Sequence, residues 1–253
     1  VSLESKSSAY FLIAHGSRDP RSYQGLDACA TLVRQTLLLR QSVGGWPMVG
    51  IGVLEFGEQP LAVQIATFAQ RVARHGIQKI FLVPLFLSAG NHVNQDIPHA
   101  LHQAAEQLPK NLSLHLCPPL GTHSQMATLV QQRMVVSPCD HWILLAHGTR
   151  RPEGNQVVEA LATQMKALPA YWSIDPRLDK QVQTLMRPTQ QRIGIMPYFL
   201  FAGSIIDAIR TTVNQLQSRL MHAELFVAQP LNPSPLMAQL ILDCCTTVAT
   251  PSP

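Results

Sequence analysis

FLIAHGSRDP, Phe11 to Pro20, is written a second time as WILLAHGTRRP, Trp142 to Pro152. The apolar run, the Ala-His-Gly and the hydroxyl residue keep one register in both copies. Four apolar residues and an alanine predict a short buried strand, which the His-Gly breaks. Gly16 can take backbone angles that a β-carbon forbids. Ser17 or Asp19 can then cap a helix that Pro20 is suited to start. His15 therefore stands at the carboxyl end of a strand, just before a helix. In open α/β sheets, that edge is where ligands bind.

Outward from this stretch, the first half alternates strand and helix patterns, as a parallel sheet requires. Strands are predicted over Tyr10–Ala14, Met48–Leu54, Lys79–Phe86 and Ser113–Cys117. The intervening helical periods cover Gln24–Gln41 (closing at Gly44-Gly45), Pro60–Val72 and Asn94–Leu108, with a further helix near Ser124–Met134. The second half replays the order, with strands near Trp142–Ala146, Tyr171–Ile174, Arg192–Tyr198 and Ala223–Ala228, and a last helix near Ser234–Cys245. LVPLFLSAG (Leu82–Gly90) matches IMPYFLFAG (Ile195–Gly203) at an offset of 203 − 90 = 113, and the Ala-His-Gly match sets 147 − 15 = 132. The second copy has thus lost 132 − 113 = 19 residues, assigned here to strand two and the helix after it. The predicted fold class is α/β: two tandem domains, each a roughly four-stranded parallel sheet flanked by helices. They span residues 1–137 and 138–253 and meet near Ser137-Pro138.

The composition limits the function classes. The 253 residues are 46% apolar and 13% charged, about half the usual charged share, which argues against disorder. A net charge of +4 without a Lys/Arg run argues against nucleic acid. No apolar run reaches the length of a membrane span, and VSLESKSSA at the start reads as a loose tail rather than a signal peptide. The five cysteines, Cys29, Cys117, Cys139, Cys244 and Cys245, include no C-x-x-C and fit neither a disulfide framework nor a zinc site. Reduced thiols in a cytoplasmic protein are the expectation.

Three polar residues follow the first three strands: His15, Glu55 and His92. In a parallel sheet these strand ends share one edge, so residues distant in sequence converge there. Two imidazoles and a carboxylate suit a divalent first-row metal, and the same groups can accept protons. Ligand and base are not separable at this level. In the second copy His147 keeps the first position, Ile205 takes the place of His92, Ile209 that of Asp96, and no glutamate obviously replaces Glu55. The second half reads as a lid or wall to a cleft whose chemistry belongs to the first.

AHGSRDP, PLFLSAGNHVNQDIP and PPLGTH together resemble the sirohydrochlorin chelatases of the CbiX/SirB type, related to the class II chelatases, in their duplicated two-domain form. The resemblance implies insertion of Fe²⁺ or Co²⁺ into sirohydrochlorin without ATP, toward sirohaem or cobalamin, with Fe²⁺ favoured. It places the family's two active-site histidines on His15 and His92. Its strand-two glutamate falls on Glu55 in VLEFGEQP, with Glu58 as a neighbouring alternative. The metal is then a substrate held by His15, His92 and Glu55; no organic cofactor is implied. Some long relatives carry a cysteine motif for an iron–sulfur cluster, but the Cys244-Cys245 pair alone does not supply one. Sirohydrochlorin carries eight carboxylates, so Arg18, with Arg21, Arg150 and Arg151, is a candidate for its rim. Ser88, Ala89 and Gly90 are small enough for a flat macrocycle to approach the backbone. His123 is a further polar candidate. Internal duplication suggests a monomer, with no nucleic-acid or membrane partner. Two rivals stand beside this reading. Histidine-dependent phosphoryl transfer wants an arginine before the His, where Ala14 stands. A non-catalytic tetrapyrrole or metal carrier would bind without turnover.

Overall fold

The computed structural model describes residues 8–40, 46–88 and 90–249. Most of the expected N-terminal tail, the Gly44-Gly45 helix end and Ala89 lie outside the described residues. Two compact units divide the chain: Val1–His123 with Pro233–Pro253, and Ser124–Asn232.

The first unit holds a parallel sheet of β1 (Ser8–Ala14), β2 (Val49–Val53), β3 (Lys79–Pro84) and β4 (Ser113–Leu116), in the order β2-β1-β3-β4. β1 and β3 are central and nearly continuously buried, as strands covered on both faces are. Helices α2 (Leu61–Ala73) and α3 (Ile97–Ala105) pack over one face around Phe11, Ile13, Ile80 and Leu82. On this face the Phe11 and Phe68 rings pack at a tilt, with centroids 5.1 Å apart. β2 makes room for the pair with glycine: a Cβ at Gly50 would lie 2.6 Å from Phe68 and 2.8 Å from Phe11. Helix α1 (Pro20–Arg40) covers β1 and β2, and α8 (Pro235–Ala249) packs beside it over β3. The Cys29 thiol of α1 donates to the Met237 sulfur of α8 at 3.4 Å. Asp19 caps α1, accepting the Arg21 N–H at 3.0 Å, with Pro20 as the first helical residue.

The second unit repeats the sheet with β5 (His141–Ala146), β6 (Ala167–Tyr171), β7 (Gln191–Pro197) and β8 (Ala223–Val227), in the order β6-β5-β7-β8. Its helices are α4 (Met126–Met134), α5 (Gln156–Gln164), α6 (Leu178–Leu185) and α7 (Ser204–Gln217). α4 packs on β7. The last helix of the first sequence repeat thus belongs to the second unit, and α8, the last of the second repeat, to the first.

Two expectations need correction. The second repeat's second strand is Ala167–Tyr171, not Tyr171–Ile174. Pro169 looks like a strand breaker, but β6 is an edge strand and the Pro169 carbonyl faces outward to Gln181. The missing N–H therefore breaks no ladder bond. The 19 lost residues also fall elsewhere. Ala14 pairs with Val53, 53 − 14 = 39 positions on, whereas Ala146 pairs with Tyr171, 171 − 146 = 25 positions on. Fourteen of the 19 are therefore missing before β6, where nine-residue α5 replaces 21-residue α1. Among the described residues no helix is long and apolar enough to cross a membrane.

Candidate metal-binding site

The parallel register brings the ends of β1, β2 and β3 together. Past the strands, the Leu54 N–H donates to the Ala14 carbonyl at 3.0 Å, and the Glu55 N–H to the His15 carbonyl at 2.8 Å. Gly16 makes this approach possible. Its φ is +94°, and a Cβ there would sit 1.9 Å from the Glu55 carbonyl oxygen. Across β3, the Leu85 N–H donates to the Ile13 carbonyl at 2.7 Å and turns the chain toward His92.

The side chains converge. His15 Nε2 lies 4.0 Å from Glu55 Oε1. The His15 and His92 rings meet edge to face with centroids 4.7 Å apart. One ligand atom from each of His15, Glu55 and His92 lies within 4.8 Å of the others, the one such group of three found among the described residues. His15 and Glu55 are exposed and His92 is half-buried, so an ion has access. Phe86 packs near both imidazoles, 6.4 Å from His15 and 6.3 Å from His92.

Each imidazole has a partner for its Nδ1. His92 Nδ1 is 2.7 Å from Asp96 Oδ2, and His15 Nδ1 is 3.2 Å from the Gly16 carbonyl. With Nδ1–H donating in both, both Nε2 lone pairs are free for a metal, as in ligating histidines oriented by a carboxylate or carbonyl. The backbone of His92–Asp96 is a π-helical turn leading into α3. Such turns recur at functional sites. Asp96 follows His92 by four residues, a spacing that sets the two side chains on one helical face.

The second repeat keeps the scaffold and loses the donors. The Ser173 N–H donates to the His147 carbonyl at 2.9 Å, so Ser173 stands where Glu55 does. Ile205 and Ile209 replace His92 and Asp96, and α7 runs as a plain α-helix from Ser204.

The rim candidates differ in availability. Arg21 is held in a two-bond fork by Asp19, at 3.0 and 2.6 Å. Arg18 stacks over the Phe56 ring at 5.4 Å instead. Ser88 is half-buried in the bend after β3, and Gly90 is exposed. A Cβ built at Gly90 meets nothing within 4 Å, so the chain itself leaves that space open. His123 closes the turn after Leu120, its N–H bonded to the Leu120 carbonyl at 3.0 Å. Cys117, Cys244 and Cys245 are buried together in the first unit. Burial pushes the Cys244 thiol up to about 11, and a hydrogen bond to Cys117, together with burial, pushes Cys245 further up.

The family model described as CbiX matches residues 9–136 and 141–247. A sirohydrochlorin cobaltochelatase of Priestia megaterium is 23% identical over 220 residues, 80% of this chain and 67% of the relative. A sirohydrochlorin ferrochelatase of Bacillus subtilis is 24% identical over 222 residues, 83% of this chain and 80% of that one. A shorter match, 36% identical over 93 residues, is to a sirohydrochlorin cobaltochelatase of Methanopyrus kandleri; it spans 37% of this chain and 57% of the relative. Among solved structures, SirB from Bacillus subtilis with Fe³⁺ superposes with a TM-score of 0.75 at 21% identity, covering 96% of each chain. SirB from the subspecies spizizenii, in complex with cobalt, gives 0.73 at 19% identity over 97% of each chain.

Proposed function

The chain belongs to the CbiX family, and from that membership we propose that it inserts a divalent metal into sirohydrochlorin, with Fe²⁺ favoured and Co²⁺ close behind. The observation that carries the reading is the converging donor set of His15, Glu55 and His92 at one sheet edge. Two imidazole nitrogens and a carboxylate oxygen suit either metal, so supply as well as geometry decides between them.

The reaction exchanges two pyrrole N–H protons for one M²⁺, and the metal must first shed water. Three protein ligands on an open edge leave coordination positions for ring nitrogens. His92, with Nδ1 fixed by Asp96, and His15 offer their Nε2 atoms to the metal. Glu55 balances the charge, and the same groups accept the released protons as the ring nitrogens take over coordination. Arg18 pairs with the carboxylate rim, and Ser88, Ala89 and Gly90 admit the flat ring. In this reading the active site belongs to residues 1–137, and 138–253 form a degenerate repeat. The enzyme works as a cytoplasmic monomer without ATP or an organic cofactor.

The test is anaerobic absorbance of sirohydrochlorin with Fe²⁺ or Co²⁺. The expected result is a catalytic spectral change faster than the enzyme-free control, with the two metals ranked by rate. Stoichiometric binding without acceleration by either metal would contradict insertion and leave a carrier.

A further inference from the structure

Phe56, directly after Glu55, is in a costly position for an aromatic residue. Its φ is +59°, in the left-handed region, which bulky side chains rarely enter. Among the described residues only Lys166 and Asn232 share that region without being glycine. The ring gains little from the protein interior in return, since Phe56 is 56% exposed. Strained backbone of this kind gathers at ligand-holding segments.

The second repeat supplies the comparison. Ser173 occupies the place of Glu55, so Ile174 occupies that of Phe56. Ile174 is half-buried and is not among the positive-φ residues. The repeat without the donor set therefore has an aliphatic, partly buried residue in ordinary backbone. The repeat with it holds an exposed aromatic ring in strained backbone.

Arg18 adds a second, independent observation. Its guanidinium lies 5.4 Å over the Phe56 ring, and among the described residues it pairs with no carboxylate. Arg21, three residues on, is already neutralised by Asp19. Stacking on an aromatic face holds a guanidinium in place and leaves its N–H fork free for an incoming anion.

We infer that Phe56 is a substrate-contacting specificity residue, whose exposed ring packs against the flat tetrapyrrole while it holds Arg18 toward a peripheral carboxylate. The inference rests on the proposed chelatase reading. It also separates two tasks: the donor set handles the metal, and Phe56 with Arg18 recognises a planar polycarboxylate. The left-handed turn aims the ring beside Glu55, so that the bound macrocycle sits next to the metal.

The experiment uses the full chain with Phe56→Ala, Phe56→Asn and Phe56→Trp. It measures the Kd of metal-free sirohydrochlorin by fluorescence, the Co²⁺ affinity of the protein alone by absorbance, KM and kcat for insertion, and thermal midpoint. Losing the ring is expected to raise the tetrapyrrole Kd and KM by about tenfold. Co²⁺ affinity should hold, and Phe56→Trp should keep tetrapyrrole affinity. Phe56→Asn is the sharpest variant: asparagine tolerates the left-handed region, so its thermal midpoint should rise while tetrapyrrole binding falls. Unchanged tetrapyrrole Kd and KM in both ringless variants, with a wild type that turns over, would overturn the role of Phe56 alone. A wild type that binds sirohydrochlorin but never metallates it, with binding still lost in Phe56→Ala, would sink the chelatase reading and uphold Phe56. A wild type that binds no tetrapyrrole would sink both.

Discussion

At the scale of single residues, the site depends on contacts made around the three donors as much as on the donors themselves. Asp96 is 2.7 Å from His92 Nδ1 and is replaced by isoleucine where His92 is. Removing such a partner typically weakens metal affinity by about 10- to 100-fold. Asp96→Ala should show that loss in a Co²⁺ titration, and Asp96→Asn, whose amide oxygen still accepts, should recover much of it. Equal Co²⁺ affinity in Asp96→Ala and wild type would contradict the positioning role. Gly16 is the other dependence. Gly16→Ala drives a Cβ into the Glu55 carbonyl at positive φ, and should cost about 3 kcal/mol or more, read as a lower urea midpoint. His15, Glu55 and His92 were legible in the sequence because each follows an apolar strand. Phe56 was not, because a phenylalanine at positive φ leaves no mark in the sequence, and neither does the ring-to-ring approach of His15 and His92.

At the scale of elements, both sheets protect their open edge by the same means. Gln64 of α2 accepts from the Val53 N–H at 3.0 Å and donates to the Val53 carbonyl at 2.9 Å, standing in for a neighbouring strand. Gln181 of α6 donates to the Pro169 carbonyl at 2.6 Å. Arg34 covers the other end of β2 at the Val49 carbonyl, 3.1 Å away. Uncovering an edge invites pairing with another chain. Gln64→Ala should cost about 1–2 kcal/mol and increase self-association on size exclusion, whereas an unchanged elution profile and urea midpoint would show that the edge needs no cover. The central strands were readable because full burial makes them continuous apolar runs. β6 was misplaced because a proline inside a strand is tolerated only on an edge, and edge position is a tertiary fact. The packing of α8 against α1 was equally hidden, since its apolar face does not state which sheet it covers. That packing buries thiols: burial pushes Cys29 up to about 12 and Cys244 up to about 11. The thiolate is the nucleophile in alkylation. Iodoacetamide on the folded protein near pH 8 should therefore modify half-exposed Cys139 well before the four buried thiols, and early mass adducts on Cys244 or Cys245 would contradict that packing.

At the scale of the whole molecule, one ancestral pattern has been kept twice as a fold and once as a donor set. The second copy retains strand order and register, and its losses are concentrated in the helix before β6 and in the donors. His147 survives without partners equivalent to Glu55 and His92. The two histidines that end the first strand of each repeat therefore make opposite predictions. The most direct measurement is the anaerobic rate of metal insertion into sirohydrochlorin by His15→Ala, His92→Ala and His147→Ala beside wild type. Losses of about 100-fold or more are expected for the first two and less than about threefold for His147→Ala, an exposed residue whose own repeat carries Ser173 and Ile205 in place of the other two donors. A large loss in His147→Ala with near-normal rates in His15→Ala and His92→Ala would place the chemistry in the second repeat and contradict the account.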